Sequence, residues 1–439
     1  MPAASVASVT ALPAPSTPLG PFQDSALSWA TWITLMGFVG IAALALFAAG
    51  PAARRAAPGA LAAVTSRLAT AAVVLGVLAV PAVWSERAHD SAASGGFDYG
   101  AAWDQLYTEG GPGLLFGLEI TLSLVGAALL VPLTVRSLAA GPARPGLLAA
   151  GLLAGAVSLW TTKLPVSWPD GRTAVETGMW ILHLTGGACW LGGLAGLVLL
   201  ALPGALRGAP GTGPAAADGE VGRAAFWSVT IRRYSAVAMG CVATIGLSGL
   251  FLYWEHVDGP SQLVSTMYGR VLGVKILIFG TLLVLGAVNQ FFLHPRIEAL
   301  RAADDERPLR TILTRHFPVV VGIELLLVAA VLFVAPFLHG SARNQAFQAD
   351  AAKHATSATA TLPTLEAKSA STSTWIWGSL ETVAVIAVMT AGYRVSGRAA
   401  ARRAAPPATP DRPHDPDRRH DSDRPRDSEL IADRGDSHR

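Results

Sequence analysis

Cysteine is almost absent: a chain of 439 residues carries two, Cys189 and Cys241. Both lie inside apolar runs and neither belongs to a CxxC pair, which excludes a disulfide framework. Charge is scarce too, at 14% of residues, and lysine is rarest of all, with four against twenty-nine arginines. No Gly-rich loop ends in GK[ST], and HExxH and GxSxG do not occur. ATP-driven pumping therefore has no motif, and no enzyme constellation emerges. A net charge of +3 gives no reason to expect a nucleic-acid partner. The opening stretch, 1–27, lacks a basic region followed by a continuous apolar core, and reads as a disordered external lead rather than a signal peptide.

What the chain has in excess is apolar surface, with 51% hydrophobic residues and a mean hydropathy of +0.44. That composition belongs to the bilayer. About 20 mostly apolar residues cross the hydrocarbon core as a helix. Nine stretches qualify, near 28–49, 68–84, 112–133, 146–160, 177–202, 234–254, 271–293, 317–338 and 375–393, the second and fourth being short. The expected fold is thus all-α, a polytopic transmembrane bundle of about nine helices. Its parts are a four-helix unit over 28–160, a second over 175–340, an external linker over 341–374, a ninth helix over 375–393 and a disordered tail over 394–439. Connections 50–67, 134–145, 203–233 and 294–316 hold fourteen Lys or Arg, against seven in the alternate set. The positive-inside rule then puts the N-terminus outside and the C-terminus in the cytoplasm, with the cytoplasmic membrane as the location.

Ionisable groups at membrane depth are costly and mark functional candidates. Counted from the outer ends at about 1.5 Å per residue, Glu119, His183 and Lys275 fall in the outer third and are expected to meet. Glu324 and Asn289 fall in the inner third near Arg232 and Arg233. Two readings stay open for the carboxylates: pairing that holds the bundle together, with Lys275 against Glu119, or a coupled proton or cation path.

The segment "HLTGGACWLGGL", His183 to Leu194, concentrates the unusual residues. Glu176, Met179, His183 and Trp190 share one helical face by their spacing of three, four and seven. A thioether and an imidazole one turn apart offer two ligands to a soft ion such as Cu(I), with Met36 of the first helix as a candidate third. A buried histidine hydrogen-bonded between helices accounts for His183 equally simply. Cys189 falls on another face, and packing is the reading for it, as for Cys241. Gly186, Gly187, Gly192, Gly193 and Gly196 form small-xxx-small pairs that let helices approach closely.

Four elements in order carry a family resemblance: "HLTGGACWLGGLAGL" at 183–197, "RRYSAVAMGCVATIGLSGLFLYW" at 232–254, "YGRVLGVKILIFGTLLVLGAVNQFFLHPRI" at 268–297 and "GIELLLVAAVLF" at 322–333. Together they resemble the copper resistance D (CopD) family of bacterial membrane proteins. The positions that match its pattern are His183, Trp190, Arg233, Tyr268, Arg270, Lys275, Asn289 and Glu324. The resemblance implies movement of copper ions across the membrane, with copper as cargo. Neither a copper-binding β-domain nor a Met/His-rich external segment is read here, which points to a separate external copper-binding protein as partner. His183 with Met179 is the expected intake site, and Glu255 with His256 the expected capture site. The alternatives are a membrane scaffold for copper delivery to oxidases, and a haem-binding electron-transfer protein. The last is disfavoured because bis-histidine ligation needs a second intramembrane histidine facing His183.

Overall fold

The computed structural model describes residues 21–93, 95–108, 111–168, 170–202, 216–288, 317–338, 340–354, 362–366, 368–369 and 371–404. Every regular element among them is helical. The long helices are α1 (Phe22–Leu44), α2 (Leu61–Asp90), α3 (Pro112–Leu130), α4 (Arg144–Thr161), α5 (Gly171–Ala201), α6 (Ala216–His256), α7 (Met267–Val288), α8 (Phe317–Val334), α9 (Ala342–Lys353) and α10 (Thr372–Ala404). Among the described residues eight segments are long and apolar enough to cross a membrane, which makes this a multi-pass membrane protein. The stretch expected as the fourth span is α4, 18 residues long and not among those eight. The helix α1 begins at Phe22, inside the stretch read as an external lead.

The centre of the bundle is α1, which packs along α2 and α5 and also touches α4 and α8. Its sequence is apolar on all sides, the pattern of a helix surrounded by protein, and Leu35 to Ala45 is buried without a break. Phe38 shows how close packing is achieved. It is fully buried, and a Cβ placed on Gly76 of α2, Gly126 of α3 or Gly155 of α4 would come within 3.5, 2.9 and 2.4 Å of its ring. At Gly126 and Gly155 the ring leaves no room for a side chain, whereas at Gly76 it would make ordinary contact and Ala127 Cβ, at 3.1 Å, is the closer neighbour. Apolar burial drives little association in lipid, so this packing is mainly dispersion. Phe38→Ala should cost about 3 kcal/mol, the lower end for Phe truncation, read as a drop in the thermal unfolding midpoint of detergent-solubilised protein.

Helix continuity breaks where the backbone requires it. Five π-helical residues, Ala45–Ala49, follow α1, and a short helix then runs from Gly50 to Ala56. Pro51 has no N–H to give the carbonyl of Phe47. The Arg233 guanidinium fills the vacancy, donating to that oxygen at 3.1 Å. Arg233 is thus tied to the backbone of the π-helical stretch after α1 rather than to Glu324.

At the opposite end of the bundle the stretch expected as a linker is structured where it is described. Its helix α9 is capped by Ser341, whose Oγ accepts the Asn344 N–H at 3.1 Å. Gln345 of α9 accepts the Tyr268 N–H at 3.0 Å. Arg343 and Lys368 both reach Asp258, at 2.8 and 3.2 Å. The segment is thereby fastened over the α6–α7 connection.

Candidate functional site

One cavity of about 820 Å³ opens at the end of the bundle where α1 starts, α2, α6 and α8 end, and α7 begins. This is the end with the fewer basic residues. Glu119 from α3, His183 from α5 and Lys275 from α7 all line it. No ion pair joins Glu119 to Lys275 among the described residues. Met36, Trp190, His256 and Tyr268 line the same space.

His183 is held in a defined tautomer. Its Nδ1 lies 2.9 Å from Ser248 Oγ, and that hydroxyl is 2.5 Å from the Thr244 carbonyl one turn back. A serine has one proton to give, and the carbonyl can only accept it. Ser248 must therefore accept from Nδ1–H, which leaves the Nε2 lone pair as the coordinating atom. His256 is held in a like way, its Nδ1 donating to Leu252 O at 2.7 Å while its ring stacks on Tyr268 at 6.0 Å. Two imidazoles in one cavity thus keep Nε2 available as a donor atom.

The methionines divide. Met36 faces α5: a Cβ on Gly187, one turn after His183, would lie 3.9 Å from the Met36 Sδ. Met179 is half-buried and does not line the cavity. The thioether that lines the cavity with His183 therefore comes from another helix. Glu255 and His256 also part company. His256 enters the cavity, whereas Glu255 makes a two-oxygen ion pair with Arg172, both contacts 2.6 Å. Both contacts come from the one Arg172 Nη2, a charge-assisted pairing that commits the carboxylate to the guanidinium. Arg270 is exposed, with its Nε 3.4 Å from Thr266 O. Trp190 forms an inner wall, edge-on to Phe279 at 5.9 Å, and its carbonyl accepts from Tyr234 Oη at 3.0 Å.

Asn289 lies outside the described residues. Glu324 is away from the cavity lining, 5% exposed, with Oε1 lacking a hydrogen-bond partner. Among the described residues no group of three or more His, Cys, Asp or Glu side chains could hold a metal ion.

Sequence reasoning passed over the collar of the cavity. Lys163, just beyond α4, places Nζ 4.7 Å from the Trp180 ring centroid and 5.7 Å from that of Trp32, a cation held by two aromatic faces. Burial pushes its ammonium below the usual lysine range, against the opposing pull of Glu86 and Glu176. Glu86 accepts from Ser28 Oγ at 2.5 Å, and Arg87 lies over Phe116 at 5.2 Å. The only signal in the sequence was a lone lysine at a helix end in "SLWTTKLPVSW"; the rings that hold it, Trp32 and Trp180, come from elsewhere in the chain.

Residues 228–338 match the family model of copper resistance protein D. The copper transport protein CutJ of Bacillus subtilis (strain 168) is 35% identical over 108 residues, a stretch that is 25% of this chain and 17% of that protein. This chain therefore spans less than a fifth of that relative. No solved structure matches.

Proposed function

We propose that this chain moves copper ions across the cytoplasmic membrane, taking them in through the cavity. The observation that carries this reading is the cavity itself: at the weakly basic end of a membrane bundle it collects two imidazoles with free Nε2 atoms and a thioether. Imidazole and thioether are ligands copper accepts in both of its common oxidation states. The similarity of residues 228–338 to copper resistance protein D supports copper as the cargo.

Movement requires that an ion leave each site as readily as it arrives, so a few ligands per site serve better than a closed cage. In this reading copper meets His256 first, then His183 and Met36 deeper in. The N-terminus lies outside, α4 completes a nine-helix topology, and the C-terminal tail is cytoplasmic. At about 27 Å, eighteen helical residues nearly match the hydrocarbon thickness. Arg172 neutralises Glu255 beside the cavity, and a separate external protein presents the ion.

Purified protein in proteoliposomes, with copper outside and a copper-responsive chelator inside, tests this directly. Copper should accumulate well above empty vesicles and without ATP. Accumulation no faster than in empty vesicles would overturn transport and favour a scaffold that delivers copper to oxidases.

A further inference from the structure

The seam between α5 and α6 is set by glycines. A Cβ on Gly186 would lie 2.4 Å from Thr244 Oγ1 and 3.1 Å from the Cys241 carbonyl, and one on Gly193 would lie 2.2 Å from the Tyr234 ring. Gly186 to Gly193 and Tyr234 to Cys241 are both steps of seven, so the two helices run antiparallel with matched heptads. Cys189 stands three residues after Gly186 and four before Gly193, on that same stripe. It therefore faces the turn of α6 that carries Cys241, and both cysteines pack into the same apolar cluster.

The chain's only two cysteines, 52 positions apart, are thus brought together inside the bundle. Cys241 is 5% exposed and Cys189 half-buried. Tyr234, whose Oη donates to the Trp190 carbonyl at 3.0 Å, is buried on the same seam. Cys189 also lies six residues beyond His183 along α5, about 9 Å further from the cavity end.

We propose that Cys189 and Cys241 form a two-coordinate thiolate site for Cu(I), the next station inward from the cavity. This rests on the copper reading and deepens it by naming the oxidation state carried past His183. Soft thiolates select Cu(I). A two-sulfur site suits a monovalent ion in linear coordination and leaves Zn(II), which takes four ligands, undersupplied, and among the described residues no group of three or more His, Cys, Asp or Glu side chains could hold a metal ion. On binding, two S–H bonds break, two Cu–S bonds form and two protons are released.

The test is anaerobic titration of the full-length, detergent-solubilised protein with Cu(I) against a chromophoric competitor, with X-ray absorption on the loaded sample. Wild type should hold one Cu(I) with a two-sulfur shell. Cys189→Ser and Cys241→Ser should each bind at least about 100-fold more weakly, since loss of an outer-shell partner alone costs about 10–100-fold. Should the variants fail to fold, wild type still decides the matter: Cu(I) should protect both cysteines from maleimide alkylation, scored by mass spectrometry. Unchanged affinity in the serine variants, a nitrogen-rich shell or unprotected thiols would overturn the site. If the same protein still filled proteoliposomes with copper, only the thiolate site would have failed. An absence of uptake would instead count against transport itself.

Discussion

Gly192→Leu should abolish the folded protein. A Cβ on Gly192 would lie 2.5 Å from Gly40 Cα and 2.6 Å from both Gly40 C and Ile41 N, and a Cβ on Gly40 would lie 1.9 Å from Ala188 O. Every one of these neighbours is backbone, so no side chain can swing aside. The helices α1 and α5 must separate, and α1 is the element around which the others pack. Overpacking a core ordinarily costs about 1–3 kcal/mol when side chains absorb it. Here the main chain would absorb it, against a total stability on the order of 5–15 kcal/mol. Fluorescence-detected size-exclusion chromatography should show loss of the monodisperse peak for Gly192→Leu and a large reduction for Gly192→Ala. Gly187→Ala supplies the contrast within the same segment. Its Cβ would meet only Met36 Cε at 3.7 Å and Sδ at 3.9 Å, ordinary contact, and the variant should fold normally. Equal thermal midpoints for Gly192→Ala and Gly187→Ala would contradict this account.

These glycines also show what a sequence can and cannot convey. Their spacing announces close helix approach, and four of the five in the segment serve it. Gly192 meets α1 backbone, Gly196 meets Leu44, and Gly186 and Gly193 meet α6. Which helix each would meet was not legible, because spacing fixes a face relative to its own axis and says nothing about the neighbour. Depth, by contrast, follows directly from counting residues, which is why Glu119, His183 and Lys275 were placed at one level and do share a cavity. The same limit explains Met179: one turn from His183 on the same stripe, it still misses the cavity, while Met36 arrives from α1. Packing was the reading for both cysteines for this reason as well. Their meeting depends on the α5–α6 register, a property of two helices, whereas each sequence run describes one.

His183→Ala should lower the initial rate of copper uptake by proteoliposomes by at least about tenfold, the loss expected when even a supporting partner of a metal ligand is removed. The side chain offers Nε2 because Ser248 binds Nδ1–H and is itself anchored to the Thr244 carbonyl. The prediction therefore extends to a residue that has no contact with copper. Ser248→Ala keeps the imidazole but removes the acceptor that selects its tautomer and fixes its ring, and should slow uptake by about 10-fold. Met36→Leu preserves volume, removes the thioether, and should slow uptake while leaving the thermal midpoint near wild type. Met179→Leu should change neither, since that side chain stands outside the cavity. With all four proteins at equal density in the vesicles, the order His183→Ala slowest, Ser248→Ala and Met36→Leu intermediate, Met179→Leu unchanged is specific to this geometry. A merely structural His183 would lower the thermal midpoint instead of the uptake rate, and a ligand pair on one helix would make Met179→Leu as damaging as Met36→Leu. Either result would refute intake by His183 together with Met36.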